Sequence, residues 1–308
     1  MTFDLVTGGA GFIGSHLVAR LVELGDRVRV VDDLSTGHVE RLSLLRDRIE
    51  FVEADLATDP IEPIVEGVDR VFHLAAVPSV SRSIRDPLRS HASIATATLR
   101  LLVGLPQRGS TVVMSSSSSV YGETTVSPKH EDLPPRPISP YAVAKVAAEL
   151  YASALAEFHR HHVVLLRYFN VFGPSQDPDS PYAAVIPIFI RRALGGERLP
   201  IYGDGMQTRD FTYVDNVVDA NLAAADRARE GARVYNIATG SPQTLLDLVA
   251  ALDAIFGRRL EIEHLPARAG DIRHSAADIR RAAQELGWRP RIGSVEGLRR
   301  TVEWYRGR

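Results

Sequence analysis

Cysteine is missing from all 308 residues, which removes disulfides, thiolate nucleophiles and cysteine-held metals from consideration at once. An excess of either charge is missing too. The 36 lysines and arginines meet 38 acids for a formal net charge of −2, with no basic stripe, so the composition argues against a nucleic-acid partner. No apolar run approaches the ~20 residues that span a bilayer, and strand-like sequence begins at Phe3, which leaves no room for a signal peptide. Internal repeats and disordered linkers are absent. These absences predict a soluble, cytoplasmic protein with no membrane partner. What remains, 45% hydrophobic and 24% charged, suits one large domain with a substantial core and a smaller second one.

The richest local signal is the glycine-rich stretch from Thr7 to Leu17, TGGAGFIGSHL. Phe3 to Thr7 reads as a buried strand, and from Phe12 the apolar spacing through Leu17, Val18, Leu21 and Leu24 is helical. Gly8, Gly11 and Gly14 therefore sit at a strand-to-helix junction, where glycine allows a sharp turn and close approach of a pyrophosphate to the helix N-terminus. Phe12 and Ile13 belong to the same turn. A second strand, Arg27 to Val31, ends at Asp32, about 20 residues past the central glycine, where a dinucleotide fold places its ribose-binding acid. A carboxylate there repels a 2′-phosphate, and no Arg or Lys adjoins Asp33-Leu34, so NAD is expected rather than NADP.

Further along, strand-like segments at 49–53, 70–74, 111–115 and 163–167 alternate with helical ones, among them Leu88 to Val103 and Tyr141 to Phe158. That alternation predicts an α/β fold, a doubly wound parallel sheet of Rossmann type, with its ligand site at the carboxyl ends of the strands. After Asn170 the texture turns Pro- and Gly-rich. The expected division is a dinucleotide-binding domain over 1–170, its sheet revisited around 209–240, and a smaller substrate-binding domain over 171–308.

Taken in order, TGGAGFIGSH, VDDLSTG, EADL, FHLAA, SSSSSVYG, SPYAVAK, LLRYFNVFGP, RDFTYVDN and PARAGDIR give the chain a resemblance to the extended short-chain dehydrogenase/reductases, and among them to the NAD-dependent UDP-hexose 4-epimerases. The likeness spans essentially the whole length. Such enzymes invert a secondary alcohol by removing a hydride and returning it to the other face, which calls for a nicotinamide and a base for the hydroxyl proton. Tyr141 is the expected base. Lys145, one helical turn on, is expected to lower its pKa through a nearby ammonium. By resemblance Ser117 bridges the substrate hydroxyl and the phenol, and Lys145 also holds the nicotinamide ribose.

The resemblance further implies that Asp55 and Leu56 face the adenine, that Leu74, Ala75 and Ala76 line the nicotinamide side, and that Tyr168 packs near the ring. For a UDP-sugar it assigns Asn170, Arg209 and Arg268 to the diphosphate or sugar, Asp271 to the uridine ribose and Tyr202 to the uracil. Ser275 stands beside the sugar, where a small residue leaves room for an N-acetyl group. Where relatives carry an Asn-rich stretch this chain has Ser93, which replaces only part of an asparagine's hydrogen bonding. Dehydratases and decarboxylases of this group need carboxyl groups where this chain has Ser118 and Ser119, which leaves the redox steps. A plain hexose ranks first, with N-acetylhexosamine and uronate pairs open. Arg82, Arg191 and Arg192 are the arginines that could meet a uronate. A nucleotide-sugar reductase that releases its NAD(P), or a non-catalytic dinucleotide-binding scaffold, are the alternatives. The resemblance also implies a homodimer through the two long helices. The histidines at 159, 161 and 162 read as a solvated turn, and no metal is expected.

Overall fold

The computed structural model describes residues 1–106, 109–179, 183–267 and 272–307. Its frame is a seven-stranded parallel sheet, in the order Gly231–Ile237, His162–Tyr168, Thr111–Ser117, Arg70–His73, Phe3–Thr7, Arg27–Asp32 and Ile49–Glu53. Every residue of Phe3–Thr7 is buried, the expected texture for a central parallel strand covered on both faces. Sequence order places neighbouring strands on either side of Phe3–Thr7, so a crevice opens at their carboxyl ends where the winding reverses.

Two apolar cores flank the sheet. On one face Leu17, Val18 and Leu21 of the helix Phe12–Glu23 pack with Val217, Ala220 and Ala224 of the helix Val214–Arg227. On the other, Leu101 and Leu102 meet Ala144, Ala148 and Ala152 of the helix Pro140–His159. Full burial of each such leucine contributes roughly 1.5–3 kcal/mol. The helix from Pro140 is started by Ser139, whose hydroxyl accepts from the Ala142 N–H, and by proline at its first position. It ends at Arg160, in the left-handed conformation. This well-defined start fixes the height of Tyr141 one residue later.

The helix expected over 88–103 is interrupted. It runs as Pro87–His91, a π-helical turn at Ala92–Thr96, and Ala97–Gly104. Beyond Tyr168 the chain leaves the sheet for short pairs: Val171–Phe172 with Thr212–Tyr213, Leu199–Tyr202 with Ile262–Leu265, and Thr208–Arg209 with Gln243–Thr244. A third core, built on Phe172, Phe189, Ile201, Leu248 and Leu298, gathers the helices Val185–Leu194, Leu245–Phe256 and Ser294–Arg306. The chain returns to the sheet through Val214–Arg227 and Gly231–Ile237. Among the described residues no helix is long and apolar enough to cross a membrane.

Candidate active site

A cavity of about 760 Å³ lies along the carboxyl ends of the strands. Gly8, Gly11, Phe12, Ile13 and Gly14 form one wall. The backbone here leaves no room for side chains: Gly8 has φ +70°, and a Cβ on it would stand 2.7 Å from the Ala75 nitrogen, while a Cβ on Gly14 would stand 2.2 Å from the Gly8 carbonyl oxygen. The helix that starts at Phe12 has no side-chain cap, so its first N–H groups face the cavity as an anion site. Asp32 closes this end. One of its oxygens accepts from the Ala10 N–H and the other from the Leu34 N–H, both at 2.9 Å. Burial raises its pKa, and those two bonds oppose the rise. Each oxygen retains a lone pair for a ribose hydroxyl. A glycine cradle that any Cβ would fill, an uncapped helix start and an acid at the second strand fit a dinucleotide.

Asp55 and Leu56 line the cavity beyond Asp32. The Asp55 carboxylate also accepts from the Ala57 N–H at 2.8 Å, and Leu56 is shared with the core. Leu74, Ala75, Ala76 and Tyr168 line the same cavity. The Tyr168 hydroxyl donates to Asn221 at 3.0 Å, and burial pushes its pKa up. Behind Ala75 runs a buried chain. The Ala75 N–H donates to the Thr7 hydroxyl (3.3 Å), Thr7 meets His73 Nδ1 (2.7 Å), and His73 Nε2 meets Thr98 (2.9 Å). Thr98 donates to the Ile94 carbonyl at 2.6 Å, so it accepts from His73, which fixes the imidazole as the Nε2–H tautomer. Burial, followed by the charge of Lys145, pushes the His73 pKa down to about 3, so it is neutral here. Ser93 lines the cavity from the π-helical turn, with its hydroxyl turned to the Ser90 carbonyl at 3.4 Å.

Tyr141 and Lys145 enter the cavity from the helix Pro140–His159, beside Ser115 and Ser116 of the strand Thr111–Ser117. Burial raises the Tyr141 pKa, and a hydrogen bond with Ser117 opposes the rise. The expected lowering by Lys145 does not occur in this arrangement. The Lys145 ammonium instead donates to the Ser115 carbonyl at 2.8 Å and to the Ser115 hydroxyl at 3.3 Å. Burial brings its pKa down to about 8, with Glu149 pulling the other way. Glu149, one turn further, accepts from Ser116 at 2.5 Å and binds Arg167 through two bonds of 2.9 and 2.7 Å. One helix therefore grips three consecutive serines of one strand, at Ser117, Ser115 and Ser116.

The residues expected to hold a nucleotide sugar lie, where described, outside this cavity's lining, with Tyr202 and Arg209 on the short strands. Asn170 has φ +32°, and its amide reaches the Asp210 carbonyl at 3.5 Å. Arg209 donates to the Thr208 carbonyl at 2.9 Å, and Tyr202 offers its carbonyl to Gln207 at 2.8 Å. Ser275 is buried and bonds Thr208 through its backbone N–H at 3.1 Å. Arg268 and Asp271 lie outside the described residues. Arg191 is engaged by Asp179, and Arg192 by the Arg198 carbonyl and Glu197; neither arginine lines the cavity, which Arg82 does. His161 is fully buried rather than in a solvated turn, because the chain turns straight from the helix into the strand His162–Tyr168. No cluster of metal-ligating side chains occurs among the described residues.

Some residues of the site escaped the sequence reading. Arg41 lines the cavity and lies in the field of Asp32, tied to the Ala10 and Ser175 carbonyls at 3.1 and 3.0 Å. Nothing local in the sequence marks it. Glu149 could have been found, since it continues the four-residue spacing of Tyr141 and Lys145.

The family model described as "NAD dependent epimerase/dehydratase family" matches residues 5–238. The UDP-glucose 4-epimerase of Mycolicibacterium smegmatis is 39% identical over 99% of this chain and 98% of its own length. Among solved structures, the UDP-glucose 4-epimerase of Thermotoga maritima with UDP-glucose is 41% identical, with a TM-score of 0.93 and 99% of each chain covered. The UDP-N-acetylglucosamine 4-epimerase of Methanobrevibacter ruminantium is 39% identical, with a TM-score of 0.94, over 99% of this chain and 98% of that one.

Proposed function

We propose that this chain, which belongs to the NAD dependent epimerase/dehydratase family, inverts carbon 4 of a UDP-hexose with NAD as its cofactor. The observation that carries the reading is the meeting in one cavity of the glycine cradle, Asp32 and the Tyr141 phenol bonded to Ser117. Gly8, Gly11 and Gly14 receive the pyrophosphate, Asp32 the adenosine ribose, and Asp55 with Leu56 the adenine. Leu74, Ala75, Ala76 and Tyr168 enclose the nicotinamide end. Bound NAD supplies a hydride acceptor that later gives the hydride back.

Tyr141 takes the proton of the carbon-4 hydroxyl while Ser117 orients that hydroxyl and the phenol, and Tyr141 returns the proton once the ketone is reduced on its other face. Lys145, anchored on Ser115 of the neighbouring strand, holds the nicotinamide ribose in this reading. Inversion requires the keto-sugar to turn over between the two steps. That freedom follows if Asn170, Tyr202, Arg209, Arg268 and Asp271 hold the nucleotide and Ser275 leaves the hexose room. Ser118 and Ser119 offer no carboxyl group for elimination, which favours epimerisation over dehydration.

A plain UDP-glucose/UDP-galactose pair is the first-ranked substrate, and galactose metabolism in the cytoplasm is the setting that suits it. The working division is a cofactor domain over 1–170, completed by the sheet return around 209–240, with a nucleotide-sugar domain over 171–308. The test is incubation with the three UDP-sugar pairs and chromatographic separation. UDP-glucose is expected to equilibrate with its carbon-4 epimer without added reductant. No turnover of any pair overturns the reading, and turnover that needs added NADPH assigns a reductase instead.

Homodimerisation is part of this proposal. The helix Pro140–His159 leaves Val143, Leu150, Tyr151 and Phe158 exposed, and Leu88 lies exposed on the neighbouring helix. An apolar face this long suits a second copy. Light scattering is expected to give twice the chain's 33.8 kDa, and Leu150→Glu with Phe158→Glu to give monomer. A monomeric wild type would defeat the dimer.

A further inference from the structure

Of the 36 lysines and arginines in the chain, only Lys129 and Lys145 are lysines. Every exposed cationic side chain is therefore an arginine, and lysine is retained at two buried positions, 3% and 4% exposed. Lys145 has its place in the reading above. Lys129 has none.

A buried ammonium is costly unless its charge is answered. The Lys129 ammonium donates to one carbonyl, that of Gly122 at 3.2 Å, and stands 5.9 Å from the Tyr121 ring centre. Among the described residues no carboxylate pairs with it, and two of its three N–H groups have no protein acceptor there. Burial, and then the positive charge of Arg209, lower its pKa. Two cations held together without an acid for Lys129 make a place for an anion.

Backbone bonds show which segments this lysine joins. Lys129 pairs in parallel with Ala277, its N–H donating to the Ala276 carbonyl at 2.9 Å and its carbonyl accepting from Asp278 at 2.8 Å. Two residues before Ala277 stands Ser275. Ser275 is bonded through its N–H to Thr208, next to Arg209. On the other flank, Gly122 closes the turn Ser118–Tyr121 that leaves the sheet after Ser117. Lys129 thus joins the reactive serine's loop to the Arg209 and Ser275 segments.

We propose that the Lys129 ammonium binds a negatively charged oxygen of the nucleotide sugar, beside Arg209. The oxygen belongs to the diphosphate or to a carboxylate on the hexose. This rests on the UDP-sugar reading above. The test measures, by calorimetry on NAD-loaded protein, the binding of UDP, UDP-glucose and UDP-glucuronate to wild type, Lys129→Met and Lys129→Gln. Methionine removes charge and donor together; glutamine keeps a donor for the Gly122 carbonyl and carries the test if the methionine variant does not fold.

Loss of one charge-assisted bond is expected to weaken binding about tenfold or more. If UDP and UDP-glucose both weaken, the anion is the diphosphate; if UDP-glucuronate alone weakens, it is the sugar carboxylate. Binding of all three ligands unchanged in Lys129→Gln overturns the proposal, and a lowered melting temperature with unchanged binding does so by assigning Lys129 to the Gly122 carbonyl alone. Wild type that binds UDP but epimerises none of the sugars would defeat the epimerase reading and leave this one standing.

Discussion

Tyr141→Phe is expected to lower the epimerisation rate by about 10²–10⁴-fold, the range of a positioned general base, with NAD content and melting temperature close to wild type. Phenylalanine keeps the ring in its slot on the helix Pro140–His159 and removes the oxygen that bonds Ser117. Ser117 cannot substitute, because an aliphatic hydroxyl holds its proton far more tightly than a phenol. The wild-type pH dependence follows from the same two groups. Tyr141 acts deprotonated and burial raises its pKa, so the rate is expected to climb with pH through neutrality. Lys145 acts protonated, with a pKa brought down to about 8, so its contribution falls as pH rises past that point. A Tyr141→Phe variant within tenfold of the wild-type rate would remove Tyr141 from the chemistry.

Gly14→Ala is expected to have the other large effect, abolishing NAD retention and lowering the melting temperature. The added Cβ would stand 2.2 Å from the Gly8 carbonyl oxygen and 2.7 Å from the Gly9 Cα. Both obstacles are backbone, so no side chain can swing aside to make room. The turn must open, and its N–H groups then lose their aim at the phosphates. Overpacking of this kind costs about 1–3 kcal/mol or more. Gly293→Ala is the control, since a Cβ there meets nothing within 4 Å. NAD measured by absorbance after denaturation decides the matter; an alanine variant at Gly14 that retains full cofactor would show that the cradle is looser than its geometry.

The sheet was legible in the chain because parallel strands buried on both faces are short, nearly continuous apolar runs, as at Phe3–Thr7 and, past its first residue, Arg27–Asp32. The glycine turn and Asp32 were legible because their spacing is local and steric. What the sequence hid depends on contacts between distant segments. Arg41 brings its charge into the field of Asp32 from a 3₁₀ helix with no distinguishing pattern, and its partner carbonyl at Ser175 lies 134 residues away. The Lys145 ammonium was expected beside Tyr141 because helical spacing puts them on one face, yet spacing says nothing of the competing Ser115 carbonyl on another element. His161 looked solvated because histidine next to a helix end usually is; burial there is decided by the strand that follows. The residues proposed to hold a nucleotide sugar sit in or beside short, irregular pairings that have no period to read.

One feature of the connectivity constrains how the protein can move or be divided. The segment carrying Asn170, Tyr202 and Arg209 leaves the sheet after His162–Tyr168 and re-enters it at Gly231–Ile237, which pairs with that same strand from Gly231 opposite His162 to Ile237 opposite Tyr168. Both of its ends are therefore stitched into adjacent strands of the cofactor fold. Such a segment can flex like a handle fixed at two points, but it cannot swing out like a door. A fragment stopped at residue 170 would expose the bonding edge of His162–Tyr168 and strip Val214–Arg227 from the core face it covers, leaving a sticky, half-clad sheet where the intact chain has a finished one.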